Sequence, residues 1–575
     1  MERALTMYLK MTDKTEPEVT PESQVIAGID ELQRLSSSYR DEVLGATHFA
    51  DVKKFYQLDE PVSKSPSFRP KVSVPELQML FFQEASELSD TSPRVHIKYK
   101  DKREKDREKV FQQEWREGFF NNRILEATIW SLFSCNGYLQ PGFDPLARMG
   151  QGQVWLRSRR PDTVFPDPRA SSEDNWSFVI WEDDLYIEQI IDLYPERAND
   201  LLEASKKEGS TKRSIPTSAD GWMSLPPGPL RSGPGQAPWE RIQLGSGRKK
   251  LRTCFVYDFT VEDVEEIGGD PENKLIARPQ YKLRYPNGRM IVDCDGIVLF
   301  DDNNPFPLRK FPLVRVPALP ALFGFYPPPP SRFSKGLQDL SARMLTQVFE
   351  NAVRLNNPVW FIPKDTGIDP DMFGGIPSEV QVIAANASRM PELRATTPFP
   401  QHYLQYPQYL LDKQKQLQGF FPARRGESGK GNVSGDMFDA SVLQSQFLTK
   451  LRAKLLAESL QRVSEIVFYL MVERYLKDRA FADFRAEQES AEVTWKGTEG
   501  QVADDFAILL DPGSIQTMSE AALRQMVIGL RGAGMMDPRT GLELMNVPGA
   551  DEIATNIEQE QARAALANVQ RPRRG

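Results

Sequence analysis

The stretch SKGLQDLSARMLTQVFENAVRLNN, residues 334–357, places Leu337, Leu340, Leu345, Val348, Val353 and Leu355 at helical spacing. It ends at Pro358, whose ring disfavours a helical residue before it. This predicts one long helix. Beyond it, residues 358–401 read as two short strands, Val359–Ile362 and Glu379–Ala384, joined by a Gly/Pro-rich loop. A second helix is expected over 402–421, with Pro407 kinking it or delaying its start. A glycine-rich loop follows, PARRGESGKGNVSG (422–435). From Asp436 to about Arg479 there is neither Gly nor Pro, and Leu443, Phe447, Leu451, Leu455, Leu460, Val463, Val467 and Leu470 keep a helical spacing. This run is either two ordinary core helices or one continuous helix of about 65 Å at 1.5 Å per residue.

Upstream, residues 1–22 are polar and read as an arm, and helical spacing runs over 23–58. A helix from about Val74 presents Leu77, Leu80, Phe81 and Leu88, and a short strand follows at 94–99. DKREKDREK (101–109) mixes both charge signs and reads as a solvated helix face that turns amphipathic through Trp115, Phe119, Ile124, Ile129, Trp130 and Phe133. Short strands are expected at 154–156, 163–165 and 178–181, the proline-punctuated 161–170 marking a sheet edge. A short helix is expected at 187–194. The Gly/Pro/Ser-rich 205–250 reads as an insertion. Strands return at 253–260 and 280–299, with Pro286-Asn287-Gly288 as a hairpin turn. The proline block 305–330 reads as an extended connector. After the long helix, strands are expected near 493–495 and 506–510, helices at 519–530, 541–545 and 550–567, and a basic tail, RPRRG.

Composition narrows the chemistry. The three cysteines, Cys135, Cys254 and Cys294, form no CxxC pair, which argues against zinc modules and a disulfide framework. His48, His96 and His402 are the whole histidine complement and lie in unrelated segments, so structural histidines are the expectation. No apolar run reaches the roughly 18 residues of a membrane span, and the N-terminal residues carry no signal-peptide pattern. Gly426–Gly431 resembles a phosphate loop superficially. Arg424 stands where the first Gly is needed, and Gly431 where a hydroxyl is needed. The acidic pairs at 182–184 and 301–302 read as solvated turns. No nucleophile elbow, zincin or dinucleotide motif occurs, so the sequence carries no positive sign of an enzyme, a metal or a cofactor. The net charge of −8 does not describe a DNA-gripping protein, whereas Arg424, Arg425 and Lys430 give the 422–435 loop a local excess of positive charge.

Several phrases and their order resemble the portal proteins (head-to-tail connectors) of tailed bacteriophages. VPELQMLFFQEASELSDTSPRVHI is similar to the family's helix-then-strand opening, and VFPDPRASSEDNWSFVIWEDDLYIEQIIDLYP to its β-rich wing. GLQDLSARMLTQVFENAVRLNNPVWFIPKD resembles the first stem helix entering the clip. DPGSIQTMSEAALRQMVIGLRGAGMMDPRTGLELMNVPGADEI resembles the section before the crown. The resemblance spans about 23–560. It implies an α+β portal-like fold: arm 1–22, β-containing wing 23–333 with insertion 205–250, stem helices 334–357 and 402–421, and a small α/β clip 358–401. The tunnel loop would be 422–435, one very long helix with wing closure 436–510, and a helical crown 511–575. It further implies a homo-oligomeric ring, usually of twelve subunits, at one capsid vertex of the virion, assembled in the host cytoplasm. Its partners would be the terminase large subunit, major capsid protein, scaffold, head–tail adaptor and neck proteins, and double-stranded DNA in transit, with no membrane. Arg424, Arg425 and Lys430 would be the DNA-proximal residues. Another phage head–neck component and an intracellular multidomain enzyme are the alternatives. A ring of about twelve subunits with a channel distinguishes the portal from both.

Overall fold

The computed structural model describes residues 21–56, 74–89, 95–99, 102–208, 248–267, 278–306, 310–322, 324–356, 359–361, 392–394, 402–420, 447–475, 479–482, 492–495 and 506–510, plus positions 527–529 and 541. The chain begins with α1 (Pro21–Leu44), α2 (His48–Tyr56), α3 (Glu76–Ser89), β1 (Val95–Tyr99), β2 (Lys102–Arg103), α4 (Lys105–Glu117) and α5 (Phe120–Ser134). Next come β3 (Asn136–Asp144), α6 (Ala147–Gly150), β4 (Gln153–Arg159), β5 (Val164–Pro166), β6 (Phe178–Tyr186), α7 (Ile187–Leu193) and α8 (Ala198–Glu208). A run of strands follows: β7 (Arg248–Val256), β8 (Val261–Ile267), β9 (Arg278–Leu283), β10 (Arg289–Cys294), β11 (Ile297–Asn303) and β12 (Val314–Pro317). The remainder is α9 (Pro330–Asn356), β13 (Val359–Phe361), β14 (Glu392–Arg394), α10 (His402–Leu417), α11 (Phe447–Arg474), β15 (Arg479–Ala482), β16 (Glu492–Trp495) and β17 (Phe506–Leu510). The architecture is mixed α+β, with small antiparallel sheets.

The five-stranded sheet, ordered β11-β10-β7-β6-β5, illustrates why these residues form strands. Along β6 the side chains alternate between two apolar layers. Phe178 and Ile180 join Ile29 of α1, Cys254 and Ile291 on one face. Val179 and Trp181 join Trp176, Phe255, Phe311 and Phe325 on the other. β5 is the edge strand that its prolines foretell.

The 28 residues of α11 span about 42 Å. Leu456, Leu460, Val463, Val467, Phe468 and Met471 lock it into the largest core, together with Leu139, Val154, Leu156, Val314, Val316, Ile97 and Ile508. This core gathers strands from two three-stranded sheets, β12-β3-β4 and β17-β1-β2. In the second sheet Val95 pairs with Leu510 and Tyr99 with Phe506, closing the body between distant parts of the chain. The helix ends at Arg474 because Tyr475, fully buried, receives a hydrogen bond on its hydroxyl from the Val154 N–H (3.2 Å) and pins the exit. The expected end near 479 is therefore too late. No turn divides 447–474, so two helices are ruled out over that range; residues 436–446 lie outside the described residues.

Other expectations are corrected. Helix α1 starts at Pro21, inside the expected arm. Residues 102–103 form a strand and α4 starts only at Lys105; Glu108, buried, accepts the Ile97 N–H, so this face is not wholly solvated. The helix expected to run through 133 breaks at Gly118-Phe119, where Phe119 takes a left-handed φ of 54°. The expected insertion 205–250 is narrower, since α8 runs to Glu208 and β7 begins at Arg248. Pro286-Asn287-Gly288 joins two different sheets, β9 pairing with β8 and β10 with β7 and β11. The tight hairpin is Asp295-Gly296, both at positive φ (48° and 83°) as a two-residue primed turn demands. The proline block contains strand β12. Residues 359–361 form a strand that pairs with 392–394, and the strand expected at 379–384 lies outside the described residues. Asp183 lies on β6 rather than in a solvated turn, held by Arg159 in a bidentate pair (2.8 and 2.7 Å). Asp301 and Asp302 likewise lie on β11. Of the expected C-terminal helices only positions 527–529 and 541 are described, and these are helical.

Candidate assembly interface

The two helices expected at 334–357 and 402–421 are present with shifted ends. α9 runs from Pro330, four residues earlier than expected, proline suiting the first helical turn. α10 ends at Leu417 and keeps Pro407 inside it. The two pack against each other, and β13 and β14 pair antiparallel, Trp360 opposite Leu393, immediately beyond α9 and shortly before α10.

The seam between the two helices is polar. Ser331, Ser334, Gln338, Ser341 and Thr346 on α9 are buried, as are Gln414 on α10 and Gln418 just beyond it. Gln338 is the hub: its Oε1 accepts the Gln414 Nε2 (3.1 Å) and the Leu77 N–H (3.2 Å), while its Nε2 donates to Gln78 Oε1 (3.3 Å). Gln418 Nε2 donates to Ser334 Oγ (2.8 Å), and the Ser331 hydroxyl donates to the Phe133 carbonyl (2.8 Å). Lys415 pairs with Glu76 of α3 at 2.7 Å. These bonds satisfy both ends of the Gln338 amide and the amide nitrogens of Gln414 and Gln418, while the Gln414 and Gln418 Oε1 atoms are buried without a partner; an unpaired buried polar group costs about 1–3 kcal/mol.

The outer sides are mixed, with exposed apolar residues set among charged and amide ones. On α9, Phe333 and Leu340 are 54% and 44% exposed, and at 100° per residue they point away from the buried serines and Gln338, beside exposed Arg332, Arg343 and Gln347. On α10, Tyr409 (56% exposed) lies on the far side from Gln414 and Gln418, with Tyr406 and Leu417 on the flank and Asp412 and Lys413 exposed near them. Phe447 and Leu451 open α11 on its outward side, opposite buried Thr449, Arg452 and Leu456.

Arg424, Arg425 and Lys430 lie outside the described residues. Both anchors of their segment are described and meet. A Cβ at Gly419, the left-handed turn after α10, would stand 3.3 Å from Leu448 Cβ at the start of α11. Residues 421–446 therefore leave from and return to one joint, where the α9 N-terminus, the α10 C-terminus and the α11 N-terminus converge. Beneath it Glu84 of α3 pairs with Arg452 of α11, both fully enclosed.

Sequence reasoning missed two ionic clusters. Arg157 and Arg159 share Asp183; burial raises this carboxyl, but the Arg159 charge and hydrogen bonds outweigh it and hold the group below the ordinary range. Burial and the neighbouring Arg159 push Arg157 down to about 10. Glu173, in the short turn before β6, accepts the Arg315 N–H (2.9 Å) and lies 3.3 Å from Arg462 of α11; burial pushes it up to about 7. His48 is half-buried, and desolvation chiefly holds it below its usual value. All three cysteines are buried thiols outside any disulfide. Among the described residues, no group of three or more His, Cys, Asp or Glu side chains could hold a metal ion, and no helix is long and apolar enough to cross a membrane.

No family model matches the chain, and no curated protein matches it.

Proposed function

We propose that this chain is the portal subunit of a tailed bacteriophage. The observation that carries the reading is the α9–α10 hairpin, whose facing sides bury serines and glutamines while Phe333, Leu340, Tyr409 and Leu417 stand exposed among charged residues on its outer sides. Burying the exposed remainder of these four is worth about 1 kcal/mol each. Because the two outer sides differ and face opposite ways, copies would associate head to tail and close into a ring.

In that ring the hairpins form the stem, β13–β14 belongs to the clip where the terminase and then the neck proteins dock, and α11 is the wing's spine. Phe420 and Phe447, which flank the segment carrying Arg424, Arg425 and Lys430, belong to the stem–wing joint, and in this reading those three residues are the DNA-proximal ones. A ring of twelve chains of charge −8 holds on the order of 100 net negative charges, which disfavours a tight grip on a polyanion and suits a conduit. No step of catalysis is assigned to the subunit, and ATP hydrolysis falls to the motor.

Mass measurement and negative-stain imaging of the purified chain test this. A ring of about twelve subunits with a central channel is expected. A stable dimer or tetramer, or a monomer whose activity vanishes on substituting one carboxylate, would overturn it.

A further inference from the structure

Four buried polar groups beneath the C-terminal end of α1 have no hydrogen-bond partner among the described residues. They are the hydroxyls of Tyr138 on β3 and Tyr326 in the connector ahead of α9, and the Nε–H groups of Arg40 on α1 and Arg315 on β12. Tyr138 and Tyr326 are 1% and 6% exposed and belong to one apolar cluster. The four groups share a neighbourhood. Arg315 stands opposite Tyr138 in the β3–β12 register, and the Tyr326 ring centre lies 6.0 Å from that of Tyr39, the residue before Arg40. Burial pushes both phenols upward, and the same two guanidiniums, Arg315 and Arg40, pull both back down. Each arginine donates through Nη1 to a carbonyl, Arg40 to Asp162 (3.0 Å) and Arg315 to Phe325 (2.8 Å). The carboxylates that approach the two Nε atoms, Asp41 at 3.8 Å and Glu173 at 4.0 Å, stop beyond hydrogen-bond distance.

We propose that the Tyr138 and Tyr326 hydroxyls and the Arg40 and Arg315 Nε–H groups hold one buried monatomic anion of the halide class. An arginine Nε–H can only donate, and a buried donor needs an acceptor. Donors are in excess here. The Trp176 indole N–H, in the same apolar cluster, is unpartnered too. Asn136, two residues before Tyr138, adds an unpartnered Oδ1, but its own Nδ2 is unpartnered as well. A water would accept from these donors yet bring two hydrogens of its own, so the excess would remain. An anion only accepts, and it offsets guanidinium charge that the neighbouring carboxylates reach without bonding. The surroundings are tight: a Cβ at Gly324 would stand 1.9 Å from the Tyr39 hydroxyl oxygen, which favours a single atom over a phosphate. The site lies within one chain and stands or falls apart from the ring reading.

Unfolding of the full chain in sodium chloride and in sodium gluconate, at equal ionic strength, tests the site. Chloride is expected to stabilise the wild type saturably; at about 100 times its dissociation constant it lowers the unfolding equilibrium constant about 100-fold. Tyr138→Phe with Tyr326→Phe removes two donors to a charged acceptor and should raise the chloride concentration for half of that gain by at least about tenfold. In gluconate the same variant should be no weaker than the wild type, because the hydroxyls it loses have no partner there. A wild type that gains nothing specific to chloride, or a variant with an unchanged half-point, would overturn the proposal. So would a variant equally weakened in both salts, which would assign the hydroxyls to water or protein. Should the variant not fold, wild-type crystals soaked in sodium bromide decide the matter. An anomalous peak within hydrogen-bond distance of both hydroxyls is expected, and a water there without anomalous signal would overturn the anion.

Discussion

Glu173 offers a test in which intuition and the structure disagree. Its carboxylate faces the Arg315 N–H, and Arg462 lies 3.3 Å away while also bonding Asp174 (2.9 Å). Taken as a salt bridge, it should stabilise the fold when ionised. Burial dominates instead: the side chain keeps about 10% exposure, and its value rises from 4.5 to about 7 despite both arginines. An acid whose folded value exceeds its unfolded one binds more protons when folded, so stability falls as pH rises from about 4.5 to about 7. The loss is complete above that window and amounts to about 3 kcal/mol. Glu173→Gln keeps an oxygen for the Arg315 N–H and removes the buried charge. It should therefore match the wild type near pH 5 and exceed it by up to about 3 kcal/mol at pH 8. Urea-unfolding midpoints of both proteins, taken at intervals from pH 5 to 8.5 with tryptophan emission as the signal, read this directly. A difference independent of pH, or a variant weaker than wild type at pH 8, would refute the dominance of desolvation.

Two further outcomes follow from enclosed contacts. Arg452→Met strands the Glu84 carboxylate without its partner and should cost about 3–5 kcal/mol, whereas Glu84→Met with Arg452→Met should cost less than the single change; strict additivity in urea unfolding would refute the coupling. Gly137→Ala sets a Cβ 2.0 Å from the Ala127 carbonyl oxygen and should cost about 3 kcal/mol, while Gly45→Ala meets open space at φ +103° and should cost only about 1–2 kcal/mol. Equal thermal shifts for the two glycines would contradict that packing.

Much of the element order was legible. Helices α3, α9 and α10 and strands β4, β6, β16 and β17 fall close to where periodicity puts them, because each is decided by contacts three or four residues apart or by alternation within one strand. The breaks were less legible. Phe119 ends a helix at a left-handed φ, which a phenylalanine does not announce, and the Asp295-Gly296 turn was outshone by the proline beside Asn287-Gly288. The expected site residues Arg424, Arg425 and Lys430 are not described, but the joint that carries them is, and no local pattern marks Gly419 as the neighbour of Leu448.

By itself the sequence determined that helices occupy most of 334–357 and 402–421 around a strand-bearing segment, and left the run from 436 open between one helix and two. Leu340 reads there as one of the apolar positions of its helix. Only the tertiary structure decided that Leu340 is turned outward and that Gln338, Gln414 and Gln418 are turned in. The physical reason is that periodicity defines the faces of a helix but not which face meets the chain's own body. α3 bears on that choice, since its Leu77 N–H and Gln78 side chain sit over the seam and supply partners to the buried Gln338 amide. The same holds for Asp183 and Glu173, whose charges are ordinary in sequence and acquire their character from arginines brought to them by other strands and by α11.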